Sequence, residues 1–160
     1  MMGAGKTTVG KRLAKIMGWQ FVDLDQSIEK LTGVSVATIF EIEGETGFRQ
    51  RESQALANLA TAENLVVATG GGVVLNPVNR ARMTGSGKVV YLHASPDLLY
   101  ARTKHDKNRP LLQVVDPLSR IATLAARRDP LYRELADVII EANAGLNNTV
   151  SSIDRMLKSL

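Results

Sequence analysis

The chain has 160 residues, of which 44% are hydrophobic, and this length suits one domain with a substantial core. The absence of cysteine excludes disulfides, thiol catalysis and cysteine-ligated metals. The formal net charge is +4, but aromatic residues make up only 4% of the chain. We therefore expect no nucleic-acid partner, and arginines that bind small anions explain the charge better. No apolar run reaches membrane-spanning length and no signal peptide is evident, so we expect a cytoplasmic protein without membrane contact.

The first eight residues, MMGAGKTT, contain the end of a phosphate-binding loop of the form G-x-x-x-x-G-K-[ST]. In such a loop, backbone N–H groups surround phosphates, the lysine reaches the outer phosphates and the hydroxyl binds Mg²⁺. Val9, Leu13 and Met17 follow at helical spacing, with Gly18 as a stop signal. The first glycine of the pattern would lie at position 0, and the preceding strand is missing. These residues alone therefore also allow a chance match at a helix start.

Residues 20–24 (QFVDL) are typical of a short buried strand that ends in acid. Asp23 lies at the carboxyl end of this strand, where open α/β sheets bind ligands. Asp25 begins a predicted helix to about Leu31, and it could serve either as the N-cap of that helix or as a substrate ligand.

A continuous apolar run at residues 65–69 predicts a strand that is buried on both faces, and it leads into Gly70, Gly71 and Gly72. Each glycine costs about 0.5–1 kcal/mol relative to alanine in backbone entropy. We therefore expect a ligand to approach bare backbone closely at this point.

Further strands are predicted at residues 88–92 and 137–141. Helices are predicted near residues 35–40, 48–60, 77–85, 98–103, 117–128, 132–136 and 150–157. The polar segment at about 104–116 is predicted to be a mobile surface loop. Strands that alternate with helices predict an α/β fold with a parallel sheet covered on both faces.

Six segments, in order along essentially the whole chain, together resemble the shikimate kinases. They are residues 3–8 (GAGKTT), 23–25 (DLD), 47–49 (GFR), 69–72 (TGGG), 109–112 (RPLL) and 128–132 (RDPLY). The resemblance implies a three-layer P-loop kinase fold with strand order 2-3-1-4-5, whose first strand is missing from this chain. It also implies transfer of the γ-phosphoryl group of ATP to the 3-hydroxyl of shikimate, with Mg²⁺, in aromatic amino-acid biosynthesis, usually by a monomer.

The resemblance also implies roles for individual residues. Phosphates of ATP are bound by the loop residues Gly3, Ala4, Gly5, Lys6, Thr7 and Thr8. Thr7 binds Mg²⁺ and Asp23 supports the ion through water. Arg102 lies near the adenine, and Arg109 is the arginine of a lid at about 104–116.

On the substrate side, the resemblance assigns the shikimate hydroxyls to Asp25, which accepts or orients the proton of the attacking one. Arg49 and Arg128 bind the shikimate carboxylate, and the backbone of Gly70, Gly71 and Gly72 faces the substrate. The catalytic residues are then Lys6, Asp25 and Arg109.

Two alternatives stay open at the level of sequence. The chain could be another small-molecule kinase of this fold, such as a gluconate kinase or a nucleotide kinase. It could also be a non-catalytic protein with a nucleotide-binding fold, although the intact site residues argue against that reading.

The missing first strand leads to an expectation about stability. Burial of about five apolar side chains at ~1.5–3 kcal/mol each gives on the order of 10 kcal/mol, before entropy is subtracted. We expect that the 160 residues by themselves are unstable or poorly active, and that translation begins about a dozen residues upstream. Equal melting temperature and turnover of the chain with and without the in-frame upstream residues would contradict this.

Overall fold

The computed structural model describes residues 1–106 and 110–160. Four strands alternate with helices: α1 Lys6–Met17, β1 Gln20–Asp23, α2 Leu24–Thr32, α3 Val36–Leu59, β2 Leu65–Ala68, α4 Pro77–Ser86, β3 Val90–His93, α5 Pro96–Thr103, α6 Pro117–Leu135, β4 Val138–Glu141 and α7 Leu146–Leu157. Short 3-10 turns lie at Val73–Leu75 and Pro110–Leu112. The predicted α/β architecture is confirmed.

The strands form two parallel pairs. β1 pairs with β2, from Gln20 opposite Leu65 to Asp23 opposite Ala68. β3 pairs with β4, from Val90 opposite Val138 onward. In the expected order 2-3-1-4-5, β1 and β2 correspond to strands 2 and 3, and β3 and β4 correspond to strands 4 and 5. Within residues 1–106 and 110–160, no strand joins β2 to β3.

Helix ends follow local sequence signals with one exception. Gly18 ends α1 in the left-handed conformation, and Ser35 caps α3 by accepting a hydrogen bond from the Thr38 N–H at 3.1 Å. The interpretation of Asp25 as the N-cap of α2 is wrong. Asp23 is extended and its carboxylate accepts from the Gln26 N–H at 3.3 Å, so the helix begins at Leu24 and Asp25 lies in its first turn. The carboxylate of Asp25 is thereby left to interact elsewhere.

Two long helices carry side chains toward the carboxyl ends of the strands. α3 bends at Gly44, whose φ of 69° and ψ of −177° interrupt the helix. α6 continues through Pro130, where the sequence predicted two shorter helices. Its buried side consists of Ile121, Leu124, Arg128, Tyr132 and Leu135. Packing of this face offsets the proline, and it carries an arginine into the interior.

None of the helices in the described part of the chain is long and apolar enough to cross a membrane.

Candidate active site

The phosphate-binding loop runs directly into helix α1. Gly5 precedes the helix with a φ of 93°, a conformation that residues with a Cβ rarely adopt. The N-terminus of α1 places its positive end and its first backbone N–H groups at this loop, which favours an anion there. The Lys6 ammonium donates to the Met1 carbonyl at 2.6 Å, so it is held beside the loop. These features are what binding of nucleotide phosphates requires.

A hydroxyl and a carboxylate meet beside the loop. The Thr7 hydroxyl donates to Asp23 Oδ2 at 2.6 Å, which connects the first turn of α1 to the end of β1. Oxygen donors of this kind suit Mg²⁺, which is usually held by one or two protein oxygens together with water and phosphate. No cluster of three or more acidic or histidine side chains that could hold a metal occurs in residues 1–106 and 110–160. The pair of Thr7 and Asp23 therefore fits the predicted ion.

Gly70, Gly71 and Gly72 form a glycine run after β2, and the absence of side chains there leaves space for side chains from other elements. A Cβ on Gly70 would lie 2.6 Å from Glu52 Oε1 and 3.0 Å from Asp25 Oδ1. A Cβ on Gly72 would overlap the guanidinium of Arg49. The sequence predicted that a ligand approaches this backbone, and the structure shows the protein's own polar side chains close to it. Contact of a substrate with the same backbone stays a prediction.

Arg49 is held by two glutamates. Its Nη1 donates to Glu52 Oε2 at 2.7 Å, while Nε and Nη2 donate to Glu45 Oε1 at 3.3 and 3.0 Å. Burial lowers the pKa of Arg49, but the ion pairs with Glu52 and Glu45 outweigh this and leave the pKa raised. A guanidinium has five N–H donors, so these bonds leave two for a ligand. Arg49 is therefore fixed, charged and able to bind a carboxylate.

Glu52 was not identified by sequence reasoning. It is 0% exposed, and its Oε1 lacks a hydrogen-bond partner in the described structure. Burial raises the pKa of Glu52, and the Arg49 cation opposes this rise. The available signal was its spacing, because Glu52 lies four residues from Phe48 and from Leu56 on the buried side of α3. An acidic residue in an apolar stripe of that kind indicates a buried ion pair or a site.

Arg128 is also a buried cation, but it differs from Arg49 in its ion pairs. It is 2% exposed, and none of the ion pairs within the described residues includes it. Its Nε lacks a hydrogen-bond partner there, and burial lowers the pKa of its guanidinium. Neighbouring Arg127 is exposed, so Arg128 is the arginine of this pair that points inward. A buried cation without a carboxylate is costly unless an anion compensates it.

The glycine run brings the predicted substrate residues together. Asp25 adjoins Gly70, Arg49 lies against Gly72, and a Cβ on Gly71 would lie 3.5 Å from Arg128 Nη1. The same position on Gly71 would lie 3.5 Å from the Cα of Met1, whose carbonyl accepts from Lys6. The phosphate loop is therefore adjacent to the polar pocket that Asp25, Arg49, Glu52 and Arg128 form at the glycine run.

Arg102, another predicted site residue, lies apart from this pocket. Arg102 donates to the Ala142 carbonyl at 2.8 Å and to the Gly3 carbonyl at 3.4 Å, so it connects the phosphate loop to the loop after β4. Its assignment to adenine stays a prediction. Arg109 lies outside the described residues.

We expect Gly72→Ala to destabilise the protein more than Gly71→Ala. Gly72 has a φ of −95°, which alanine adopts without strain, so the cost arises from displacement of Arg49. Such overpacking costs about 1–3 kcal/mol. In Gly71→Ala, the new methyl group would meet Tyr132 Oη at 3.4 Å, an ordinary contact. Urea unfolding of both variants measures the difference, and an equal or larger loss for Gly71→Ala would contradict the interpretation.

A Gly-Lys-Thr loop that opens a helix, beside parallel strands and a pocket of carboxylates and arginines, defines a P-loop kinase of the α/β class. The family model for shikimate kinase matches residues 2–158. The chain belongs to the shikimate kinase family.

Individual relatives agree with this family. A shikimate kinase of Dechloromonas aromatica is 55% identical over 143 residues, which are 89% of this chain and 78% of that protein. One of Aromatoleum aromaticum is 58% identical over 145 residues, which are 91% of this chain and 83% of that protein. The solved structure of a shikimate kinase from Acinetobacter baumannii in complex with shikimate has a TM-score of 0.96 and 46% identity, covering 99% of this chain and 89% of that one.

Proposed function

We propose that this protein transfers the γ-phosphoryl group of ATP to the 3-hydroxyl of shikimate, a step in aromatic amino-acid biosynthesis. The observation that carries the proposal is the pair of cations at the glycine run, in which Arg128 is buried and forms no ion pair with a carboxylate in the described part of the chain. An acid substrate would supply the missing anion. Membership of the shikimate kinase family supports shikimate as that acid.

Arg49 and Arg128 bind the carboxylate of shikimate in this proposal. Each guanidinium offers a planar fork of donors that matches the geometry of a carboxylate. Glu52 fixes Arg49 from the buried side through the 2.7 Å bond, so that little rotational freedom is lost when the substrate binds. The substrate is thereby held at one end, with its hydroxyls toward Asp25.

Asp25 accepts or orients the proton of the attacking hydroxyl. Its carboxylate lies beside Gly70 of the glycine run that Arg49 and Arg128 also border, which supports contact with substrate hydroxyls. Lys6 neutralises charge on the β- and γ-phosphates, and the backbone of residues 3–8 binds the remaining phosphate oxygens. Phosphoryl transfer depends mainly on alignment and charge neutralisation, so a site rich in cations and backbone donors is suited to it.

Mg²⁺ would be held by the Thr7 hydroxyl, with Asp23 supporting it through water. When bound, the ion neutralises developing charge on the phosphate oxygens. The Thr7–Asp23 hydrogen bond keeps both oxygens on the side of the loop where the phosphates would lie.

The remaining assignments are proposals that rest on the resemblance alone. Arg102 would lie near the adenine, and residues 104–116 would form a lid that carries Arg109. We also propose that the protein acts as a monomer in the cytoplasm.

The experiment that tests the function is an ADP-release assay with shikimate, gluconate or a nucleoside monophosphate as the acceptor. We expect shikimate to give the highest kcat/KM, because its ring fixes the hydroxyls relative to the carboxylate, whereas gluconate is an open chain. Omission of Mg²⁺ should abolish ADP release. A preference for gluconate or for a nucleotide would contradict the proposal, and absence of turnover with every acceptor would favour a non-catalytic role.

A further inference from the structure

Tyr132 links the glycine run to the buried arginine of the pocket. Its hydroxyl donates a hydrogen bond to the Gly71 carbonyl. The hydroxyl and the Arg128 guanidinium both border Gly71, because a Cβ on Gly71 would lie 3.4 Å from Tyr132 Oη and 3.5 Å from Arg128 Nη1. Met1 Sδ lies 3.5 Å from the same tyrosine oxygen. A tyrosine hydroxyl can donate one hydrogen bond and accept another, so the atom that donates to Gly71 can also accept from Arg128. Tyr132 follows Arg128 by four residues, which places both on the buried face of α6.

The ring of Tyr132 is fixed from the opposite side. It stacks on Tyr91 of β3, with ring centroids 4.8 Å apart and an interplanar angle of 33°. The Tyr91 hydroxyl donates to Asp129 Oδ1 at 2.7 Å, and Asp129 also accepts from Arg133 Nε at 2.7 Å. Residues 128–133 are thus attached to β3 through Asp129 and to the glycine run through Tyr132.

We propose that Tyr132 is a positioning residue for the binding of the acid substrate. Its hydroxyl sets the orientation of Arg128 relative to the backbone of Gly71. The guanidinium N–H groups of Arg128 and the backbone of the glycine run then both face the substrate. The inference rests on the proposed function, because it assumes that Arg128 binds the substrate carboxylate. It predicts a larger effect on the acid substrate than on the nucleotide, because the hydrogen bonds from Thr7 to Asp23 and from Lys6 to the Met1 carbonyl do not include the Tyr132 hydroxyl.

The test compares Tyr132→Phe with Tyr91→Phe. Both changes remove one hydroxyl from a buried ring and keep the stacked pair, but only Tyr132 contacts Gly71 and Arg128. For Tyr132→Phe we expect the KM for shikimate to rise about tenfold, which is what loss of one hydrogen bond to the charged Arg128 would produce. The KM for ATP should change by less than about twofold. For Tyr91→Phe, both KM values should stay within about twofold of those of the unaltered protein.

The melting temperatures of the two variants separate positioning from general destabilisation. A similar fall in melting temperature for both, with a raised shikimate KM in Tyr132→Phe alone, supports the inference. Equal increases of the two KM values in Tyr132→Phe, or equal effects of the two variants, would overturn it. If the unaltered protein does not use shikimate, the proposed function fails; if it does and Tyr132→Phe keeps its KM, only the present inference fails.

Discussion

Lys6→Ala is expected to reduce kcat by about 10²–10³-fold, the usual effect of removing one group that stabilises transition-state charge. The fold should survive, because Lys6 is only partly buried and its ammonium donates to the backbone carbonyl of Met1. Steady-state ADP release measures kcat, and thermal unfolding measures the fold.

Lys15→Ala provides the matched control for Lys6→Ala. Lys15 lies on the same helix, is exposed and carries the same charge. It should keep kcat within about twofold, since screened charges at a helix surface contribute little. Retention of most of the turnover in Lys6→Ala, or an equal loss in both variants, would contradict the assignment of Lys6.

Arg128→Ala and Arg49→Ala are each expected to raise the KM for shikimate by at least about 10- to 150-fold, the effect of losing one charge-assisted hydrogen bond. Each arginine would make charge-assisted hydrogen bonds worth about 1.5–3 kcal/mol apiece, and a tenfold change corresponds to about 1.4 kcal/mol. The KM for ATP should change by only a few-fold. Kinetics with each substrate varied in turn give both values. Arg127→Ala is the control, because Arg127 is an exposed neighbour on α6; similar losses for ATP and shikimate would indicate misfolding or a wrong assignment.

The two arginine variants should differ in stability. Arg49→Ala leaves the buried carboxylate of Glu52 without its cation, and such unpaired buried charges cost about 3–5 kcal/mol. Addition of Glu52→Gln should restore much of that stability without restoring shikimate binding. Urea unfolding of the single and double variants measures this. Recovery of the shikimate KM in the double variant would show that Arg49 acts only through the fold.

The local parts of the site could be predicted from the sequence because they depend on short patterns. Gly5, Lys6 and Thr7 define the end of the phosphate loop, and the acidic end of β1 places Asp23 at the carboxyl edge of the sheet. The sequence pattern predicted the helix cap at Asp25, although an aspartate at either position can accept from the N–H groups two or three residues further on. The extended backbone at Asp23 decides which of the two is the cap.

The contacts at the glycine run could not be predicted because they join α2, α3 and α6. The glycines indicated that a ligand approaches Gly70–Gly72. They did not indicate that the side chains of Glu52 and Arg49 lie against them. The continuity of α6 through Pro130 was also missed, since a proline usually ends a helix. That continuity places Tyr132 on the same face as Arg128.

The most direct test of the account is to identify the product that the protein forms from shikimate, ATP and Mg²⁺. Phosphorus–proton correlation by NMR shows which hydroxyl carries the phosphate. We expect one new phosphate monoester whose phosphorus couples to the proton on carbon 3 of shikimate, formed in equal amount to ADP. Inorganic phosphate as the main product, or a phosphate on another hydroxyl, would contradict it.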